Sequence, residues 1–190
     1  MGAMVKLAHA SLLLLLALAA CRSTAKVSAE AELRGLLNEN SLESRDASRV
    51  VRDSETITES IERRTKRVRE LVKEGRVRSQ EEQMLAALVL IDSGNADDMT
   101  MARRLALSAA ESGADEAYPI AAIAIDREHY LRGEPQRFGT QYVYEPVFSR
   151  WRLHQVDPRT TDEERAAFGV PPLAEIEART DALNEQLPKR

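Results

Sequence analysis

The stretch Ala102–Asp126, ARRLALSAAESGADEAYPIAAIAID, sets the architecture that we expect for most of this chain. Apolar residues, mainly alanine, recur every three or four positions on both sides of Ser112-Gly113, which is the spacing of a helical face. Small alanine side chains let two helices approach closely, and the glycine lets the chain turn between them. The stretch therefore predicts a pair of closely packed helices.

The preceding residues predict a third helix on this pair. Ser79-Gln-Glu-Glu82 fits a capping box, in which the serine side chain accepts a backbone N–H and the glutamate reaches back. We expect its helix to end near Ser93, Asp97 or Asp98 to cap the next helix, and the last of the three to run from about residue 115 to residue 132. Short glycine-containing turns between the three helices favour an antiparallel stack.

The opening stretch resembles one unit of a Sel1-like or tetratricopeptide-type helical hairpin. A second copy at a period of about 34 to 40 residues is not present in the sequence, and a solenoid needs several repeats. The resemblance therefore implies the local geometry of one hairpin and no repeat array.

The flanks complete the predicted fold class. Residues 29–75 contain no proline and a single glycine before residue 75, with apolar residues at helical spacing, which indicates a helical N-terminal arm of one or two helices ending at Gly75. Alternating residues in 142–145 and 147–154 predict a small β-hairpin, and short helices are expected after Thr161 and from Leu173 to Leu187. The fold is thus predicted to be mainly α, an antiparallel helical stack with a small β-hairpin and a helical arm, and its domain to span residues 79–187.

The first 21 residues have the layout of an export signal. Lys6 precedes an apolar run from Leu12 to Ala20, which leads into Cys21, the only cysteine of the chain. Leu18-Ala-Ala-Cys21 resembles the lipobox of bacterial lipoproteins, and an ordinary signal peptide with a chance cysteine is the alternative. The resemblance implies removal of residues 1–20 and acylation of Cys21, with each buried methylene contributing about 0.8 kcal/mol to membrane attachment.

Further expectations about location depend on this anchor. Residues 21–28 are small and polar and predict a tether. Arg22 follows the cysteine where lipoproteins retained in the inner membrane commonly carry Asp, so the resemblance implies the outer membrane, with the domain facing the periplasm. Acylation of Cys21 leaves no thiol for a disulfide or for nucleophilic catalysis.

Charge bounds the partners that we expect. The chain has 27 Lys and Arg against 31 Asp and Glu, a formal net charge of −4, which argues against nucleic acid as a partner. Within this acidic chain, residues 63–69 hold five cations. They could rest on anionic lipid head groups, but acidic residues interleave with them at helical spacing, so a solvated helix face is the favoured interpretation.

The segment Gly133–Gln141, GEPQRFGTQ, has the composition of a tight loop. Gly133 can end the preceding helix, and Gly139 permits a sharp turn. The amides of Gln136 and Gln141 can satisfy backbone groups that such a loop leaves unpaired, and the semi-buried Asp126 needs a partner, for which Arg127, Arg165 or loop N–H groups are candidates. A role in stabilising this corner is favoured over a ligand or partner site built from the same groups.

The same residues belong to a pattern that resembles a bacterial family of uncharacterised function. The matching positions cover somewhat more than half the chain and exclude the helical arm. They are Asp126-Arg127, Gly133, Pro135-Gln136, Phe138-Gly139-Thr140-Gln141, Trp151, Asp157-Pro158, Thr161-Asp162, Arg165 and Gly169-Val-Pro-Pro-Leu173. The resemblance implies a module, with Asp126, Arg127, Gln136, Phe138, Gly139, Thr140, Gln141, Trp151, Asp162 and Arg165 as its candidate binding or structural residues, but it implies no reaction.

Catalytic sequence motifs are absent: the chain has no GxSxG, HExxH, Walker or dinucleotide-binding pattern. His129 and His154 are expected to be isolated surface or packing histidines, so neither a metal site nor a cofactor is predicted. An acid–base pair of Asp126 with Glu134 or Asp162 is conceivable, although carboxylates are abundant here.

Two functional hypotheses from different classes follow. The favoured one is a non-catalytic binding or scaffolding lipoprotein that contacts an envelope protein through the loop and the hairpin; a toxin-immunity lipoprotein is one version of it. The alternative is an envelope hydrolase that uses Asp126, Arg127 and the Gln136–Gln141 loop. A toxin-like gene next to this one would favour the immunity version.

Overall fold

The computed structural model describes residues 27–45 and 54–187, which form a mainly helical fold with a small two-stranded sheet, as predicted. Cys21 and the rest of the predicted signal and lipobox lie outside the described residues. The elements in chain order are α1 (Ala29–Arg45), α2 (Ser54–Lys73), α3 (Gln80–Leu90), α4 (Ala96–Glu111), α5 (Ala117–Leu131), β1 (Tyr142–Glu145), β2 (Arg150–Leu153), α6 (Asp162–Ala167) and α7 (Leu173–Glu185).

The helix pair α4 and α5 forms as the alanine pattern predicts. Its interface is built from small side chains that are wholly removed from solvent, among them Ala102, Ala106, Ala109, Ala117, Ala121 and Ala124. At the turn, Gly113 has a φ of 107°, and the backbone N–H of Ala114 donates to the Ala109 carbonyl (3.1 Å). The positive φ of Gly113 ends α4 and reverses the direction of the chain, so that α5 can pack against α4.

The helix caps agree with the sequence at α3 and differ at α4. The Ser79 side chain accepts the Glu82 N–H (3.1 Å), and the Glu82 carboxylate accepts the Ser79 N–H (2.9 Å), so the capping box is confirmed. The prediction of Asp97 or Asp98 as the next cap is wrong. Asn95 caps α4 by accepting the Asp97 N–H (2.9 Å), because its backbone is still extended whereas the aspartates already lie in the first helical turn.

The helical arm is two described helices that pack on the stack. Leu33 and Leu36 of α1 and Val68 and Leu71 of α2 belong to one apolar cluster with residues of α3, α4 and α5. Gly75 ends α2 in the left-handed conformation (φ 65°), as expected for a C-terminal cap. The arm therefore shares its core with the domain that follows it.

Ion pairs explain the basic run on α2. Arg69 bridges to Asp98 of α4 (2.7 Å), Arg63 to Glu39 of α1 (3.0 Å), and Arg64 is buried. This face is therefore partly an interface between helices, and the interpretation as a wholly solvated face is wrong for Arg64, because α2 packs against its neighbours there.

The C-terminal half adds a second, smaller core. β1 and β2 pair antiparallel, and residues 146–149 form the turn, so the second strand begins at Arg150 and not at Val147 as predicted. Ser149 has a φ of 48°, which is incompatible with an extended strand. The Thr161 capping box and the end of α6 at Gly169 are confirmed. Among the described helices none is long and apolar enough to cross a membrane.

Candidate functional site: the 133–141 loop, the hairpin and the β2–α7 groove

The carboxylate of Asp126 is fully buried and is the centre of the 133–141 loop. It accepts hydrogen bonds of 2.7–2.9 Å from five donors. Four are the consecutive backbone N–H groups of Arg137, Phe138, Gly139 and Thr140, and the fifth is the Thr140 hydroxyl. N–H bonds to a carboxylate are charge-assisted and stronger than neutral ones. Of the three candidate partners for Asp126, the loop N–H groups are the ones that it binds.

Gly139 is required in this loop for two reasons. Its φ of 97° lies in the region that favours glycine. A Cβ at this position would lie 3.1 Å from Cδ1 and 3.3 Å from Cγ2 of Ile176, so any side chain here would require Ile176 to shift.

The buried amide of Gln136 ties the loop to the segment after β2. Its Nε2 donates to the carbonyls of Gln141 (3.0 Å) and His154 (2.8 Å), and its Oε1 accepts the Gln141 N–H (2.7 Å). The Gln141 side chain in turn donates to the Thr140 hydroxyl (3.0 Å). The Gln136 amide thus pairs with backbone groups, as predicted, whereas the Gln141 amide pairs with a side-chain hydroxyl.

Arg165 connects the loop to both C-terminal helices. The side chain is 2% exposed, and its Nε donates to the Phe138 carbonyl (3.1 Å) while Nη1 donates to the Thr160 carbonyl (3.1 Å) and to Asp162 Oδ1 (2.9 Å). Asp162 Oδ1 also accepts the Leu173 N–H (2.9 Å); this bond, with the Arg165 guanidinium, lowers the pKa of the Asp162 carboxyl. The predicted residues Asp162 and Arg165 are therefore bonded to each other, and together they join the loop to the start of α7.

Phe138 and Trp151 have different surroundings. Phe138 is buried against Phe168, with ring centroids 4.6 Å apart, and is part of the second core. Trp151 lies on β2, half-buried beside Tyr144 (centroids 5.3 Å apart). Asn184 of α7 accepts the Trp151 N–H (2.6 Å) and donates to its carbonyl (3.0 Å), which fixes β2 to α7.

Arg127 does not join the other candidate residues. Its Nε donates weakly to the Ser93 carbonyl (3.4 Å) in the turn between α3 and α4. It also lies near Asp92, whose pKa is raised by burial; the charges of Arg64 and Arg127 offset part of that increase. The structure therefore brings together nine of the ten candidate residues around the loop and β2 and leaves Arg127 apart from them.

The conceivable acid–base pair is not formed. Asp126 bonds to loop donors, Asp162 to Arg165 and the Leu173 N–H, and Glu134 lies 3.3 Å from Nδ1 of His129. The other histidine of the described ranges, His154, contacts the Glu134 carbonyl through Nε2 (3.0 Å). In the described ranges, no three Asp, Glu or His side chains are grouped so that they could hold a metal ion.

An open groove of about 630 Å³, which we term the β2–α7 groove, lies between β2, the segment 154–160 and α7. Trp151, Leu153, Val156 and Leu173 supply apolar surface, and Arg165, Thr180 and Asn184 supply polar groups. Thr180 and Asn184 were not singled out as site residues in the sequence. The signal that could have found them is their spacing of four from Ile176 and from each other, which places all three on one face of α7.

Three buried side-chain polar atoms of the described residues lack a hydrogen-bond partner: Glu128 Oε2, Arg165 Nη2 and Thr180 Oγ1. Glu128 Oε2 lies 3.4 Å from the Arg103 guanidinium, which compensates its charge. The other two belong to residues that line the β2–α7 groove. A buried donor without a partner costs about 1–3 kcal/mol, so two such atoms on residues that line one groove need an explanation.

The hairpin turn exposes apolar side chains that the alternating pattern of residues 147–154 placed in a strand. Val147 is 89% exposed and Phe148 is 67% exposed, and Tyr144 beside them on β1 is 40% exposed. The Arg150 guanidinium lies 5.0 Å from the centre of the Phe148 ring. We term Tyr144, Val147 and Phe148 the hairpin tip.

Comparisons of this chain with protein-family models, with curated proteins and with solved structures find no match. The resemblances to lipoproteins, to a Sel1-like hairpin and to an uncharacterised family therefore remain predictions made from the residues themselves.

Proposed function

We propose that this chain is a lipid-anchored lipoprotein of the cell envelope that binds a protein partner and catalyses no reaction. Acylated Cys21 would hold it in the membrane, with the outer membrane favoured and the described residues facing the periplasm. The observation that carries the proposal is the hairpin tip, an apolar surface on a rigidly held base.

Solvent exposure of Val147 and Phe148 is costly unless something covers them. Fully burying a Val or Phe side chain contributes about 1.5–3 kcal/mol, so the tip offers about 3–6 kcal/mol to a partner with a matching apolar pocket. Neighbouring aromatic and arginine side chains, here Tyr144 and Arg150, are the residue types that dominate protein interfaces. A protein partner is therefore the occupant that we infer for this tip.

The base of the hairpin is held on two sides. Gln136 bonds to the carbonyls of Gln141 and His154, which flank the two strands, and Asn184 bonds to Trp151 in the middle of β2. A tip on such a base is already ordered before a partner arrives, which reduces the entropy cost of binding.

The rival hypothesis of an envelope hydrolase has less support. A general acid or base must reach the reacting group within hydrogen-bond distance. Asp126 is buried with both oxygens occupied by loop donors, and Arg127 contacts Ser93 on another side of α5. The polar groups of the loop stabilise the corner, which favours binding over catalysis.

A toxin-immunity lipoprotein is one version of this function. An immunity protein is a small, anchored inhibitor, and the net charge of −4 suits a basic partner. In that version the partner that covers the hairpin tip is the toxin.

Site-specific photo-crosslinking in cells tests the proposal. Benzoylphenylalanine placed at Phe148 should give one discrete protein adduct of the full-length, membrane-bound chain. The same probe at Glu116, an exposed position in the turn between α4 and α5, is the matched control and should not give that adduct. Adducts to lipid alone, or identical adducts from both positions, would contradict the proposed protein contact.

A further inference from the structure

We propose that the β2–α7 groove binds a small zwitterion with an apolar side chain, an amino acid or the end of a short peptide. Two unpartnered polar atoms, a set of apolar walls and an uneven distribution of charge at the rim carry this proposal. It concerns a different surface from the hairpin tip and does not depend on the protein contact proposed there.

The two unpartnered atoms, Arg165 Nη2 and Thr180 Oγ1, determine which chemical group of the ligand would bind at the inner end of the groove. Arg165 Nη2 can only donate, because a guanidinium has no acceptor, and it belongs to a cation. Asp162 and the two backbone carbonyls occupy Nη1 and Nε and leave Nη2 without an acceptor. A planar carboxylate is the acceptor that matches a guanidinium best, so we assign the ligand carboxylate to this end of the groove.

Thr180 supplies the second donor. A threonine inside a helix often donates to the carbonyl four residues earlier, which for Thr180 is that of Ile176. That carbonyl accepts the Tyr142 hydroxyl (3.2 Å), and Thr180 Oγ1 has no partner. Since this oxygen and Arg165 Nη2 are both covered, we expect the Thr180 side chain to change rotamer and the Arg165 guanidinium to become accessible when the ligand carboxylate enters.

The walls select an apolar body for the ligand. The Trp151 ring, Leu153, Val156 and Leu173 line the groove between the strand side and the helix side. A volume of about 630 Å³ lies within the range of about 300–1,000 Å³ that is usual for small-molecule sites. A branched aliphatic side chain can contact these residues while the carboxylate reaches Arg165.

The charged residues at the rim of the groove favour a cationic group at the end of the ligand opposite its carboxylate. On the strand side, Arg150 and Arg152 share the single carboxylate of Glu145, at 2.8 and 2.9 Å, so this side keeps a positive charge. On the helix side, Glu177 and Asp181 line the groove and form no ion pair with any described residue. The helix side of the rim is therefore the negative side, and the ammonium group of an amino acid or peptide is placed beside α7.

Trp151 is the only tryptophan of the chain and reports directly on the groove. The full chain, purified in detergent, is titrated with leucine, the dipeptide Ala-Leu, leucinamide and N-acetylleucine while Trp151 emission is recorded. Saturable changes with leucine or Ala-Leu are expected, and the tighter of the two identifies a free amino acid or a peptide end as the source. Leucinamide, which lacks the carboxylate, should bind at least tenfold more weakly.

Variants assign the contacts. Thr180→Val removes one donor at nearly constant volume and should weaken leucine about tenfold, which corresponds to about 1.4 kcal/mol. Glu177→Gln with Asp181→Asn should weaken leucine and leave N-acetylleucine unchanged, since the acetylated amine carries no charge. Glu175→Gln, exposed on α7 outside the groove, is the control and should bind leucine as the wild type does.

Two results would overturn the proposal. One is the absence of any change in Trp151 emission with all four probes up to about 10 mM, beyond the range of specific small-molecule affinities. The other is binding of leucinamide as tight as that of leucine, or leucine affinity that Thr180→Val leaves unaltered in a variant whose circular dichroism matches the wild type.

Discussion

Asp126 Oδ2 accepts both the backbone N–H (2.8 Å) and the hydroxyl (2.9 Å) of Thr140, fourteen residues away in the chain. With the bonds to the three preceding N–H groups, one side chain of α5 satisfies a whole run of loop backbone that has no sheet or helix partner. Buried N–H groups must be paired, so this carboxylate performs for the loop what a ladder of hydrogen bonds performs for a strand.

Replacing Asp126 by Asn should destabilise the protein strongly. The amide NH2 would face backbone donors in place of an acceptor, and the charge that strengthens the five bonds would be lost. We expect the free energy of unfolding in urea to fall by about 3–5 kcal/mol. Asp115→Asn, at an exposed position in the turn before α5, is the control and should change it by less than about 0.5 kcal/mol. Equal stability of the two variants would contradict this structural role.

Gly139→Ala should also be destabilising, through backbone strain and a contact with Ile176. The positive φ and the 3.1 Å approach act together, and we expect a loss of about 2–4 kcal/mol in the same urea measurement. Gly94→Ala is the matched control, because a Cβ there meets no atom within 4 Å. A urea unfolding curve of Gly139→Ala that superimposes on that of Gly94→Ala would contradict this placement of the loop.

The docking of α2 on α4 depends on the pair of Arg69 with Asp98. Arg69→Met leaves the buried Asp98 carboxylate with the Ser93 hydroxyl (2.7 Å), and because Arg69 is about one-third exposed we expect a loss of about 2–3 kcal/mol. Hydrogen exchange should accelerate in α2 before it does in α5. Arg63→Met, which removes the exposed pair with Glu39, should cost less than about 1 kcal/mol. Faster exchange throughout the chain would instead indicate global destabilisation.

Stability should decrease in acid through the carboxylates of the C-terminal half. The pKa of Asp162 is lowered from 3.8, mainly by the Leu173 N–H, and that of Asp157 is lowered to about 2, mainly by Arg159. Groups with a lowered folded-state pKa stabilise the protein above their unfolded pKa, and this contribution is lost as the pH falls through the folded value. Unfolding free energies measured from about pH 5 to pH 2 should therefore decline, and more gently in Asp162→Asn. An unchanged slope in that variant would remove Asp162 from this account.

Cys21→Ala should abolish acylation and slow or block processing of the first 20 residues. The expected result is loss of palmitate labelling and of membrane retention, with the uncleaved precursor accumulating. Normal membrane retention of the Cys21→Ala protein would overturn the proposed lipid anchor.

The sequence predicted local structure well where one segment contains all the necessary information. The alanine spacing of α4 and α5, the capping boxes at Ser79 and Thr161, and the glycine stop at Gly75 involve residues within a few positions of one another. Such features follow from backbone geometry and short-range hydrogen bonds. The α4 cap was misplaced because Asn95, Asp97 and Asp98 all have suitable side chains, and only the backbone angles distinguish them.

The candidate site was predicted as a set of residues but not as an arrangement. Asp126, the glycines and glutamines of the loop, Asp162 and Arg165 were recognised, whereas the separation of Arg127 from them was not. The direction in which Arg127 points depends on the packing of α5 against the turn between α3 and α4, which its own neighbours in the chain do not specify.

What the sequence by itself determined is the mainly helical fold class, most helix boundaries and the chemical composition of the loop, because periodicity and caps act over a few residues. Tertiary structure alone decided that four loop N–H groups converge on Asp126, that α2 pairs with α4, and that Arg165 and Thr180 line one groove. These relationships join residues 11 to 29 positions apart in the chain. They depend on which surfaces are buried together, and burial is a property of the whole fold.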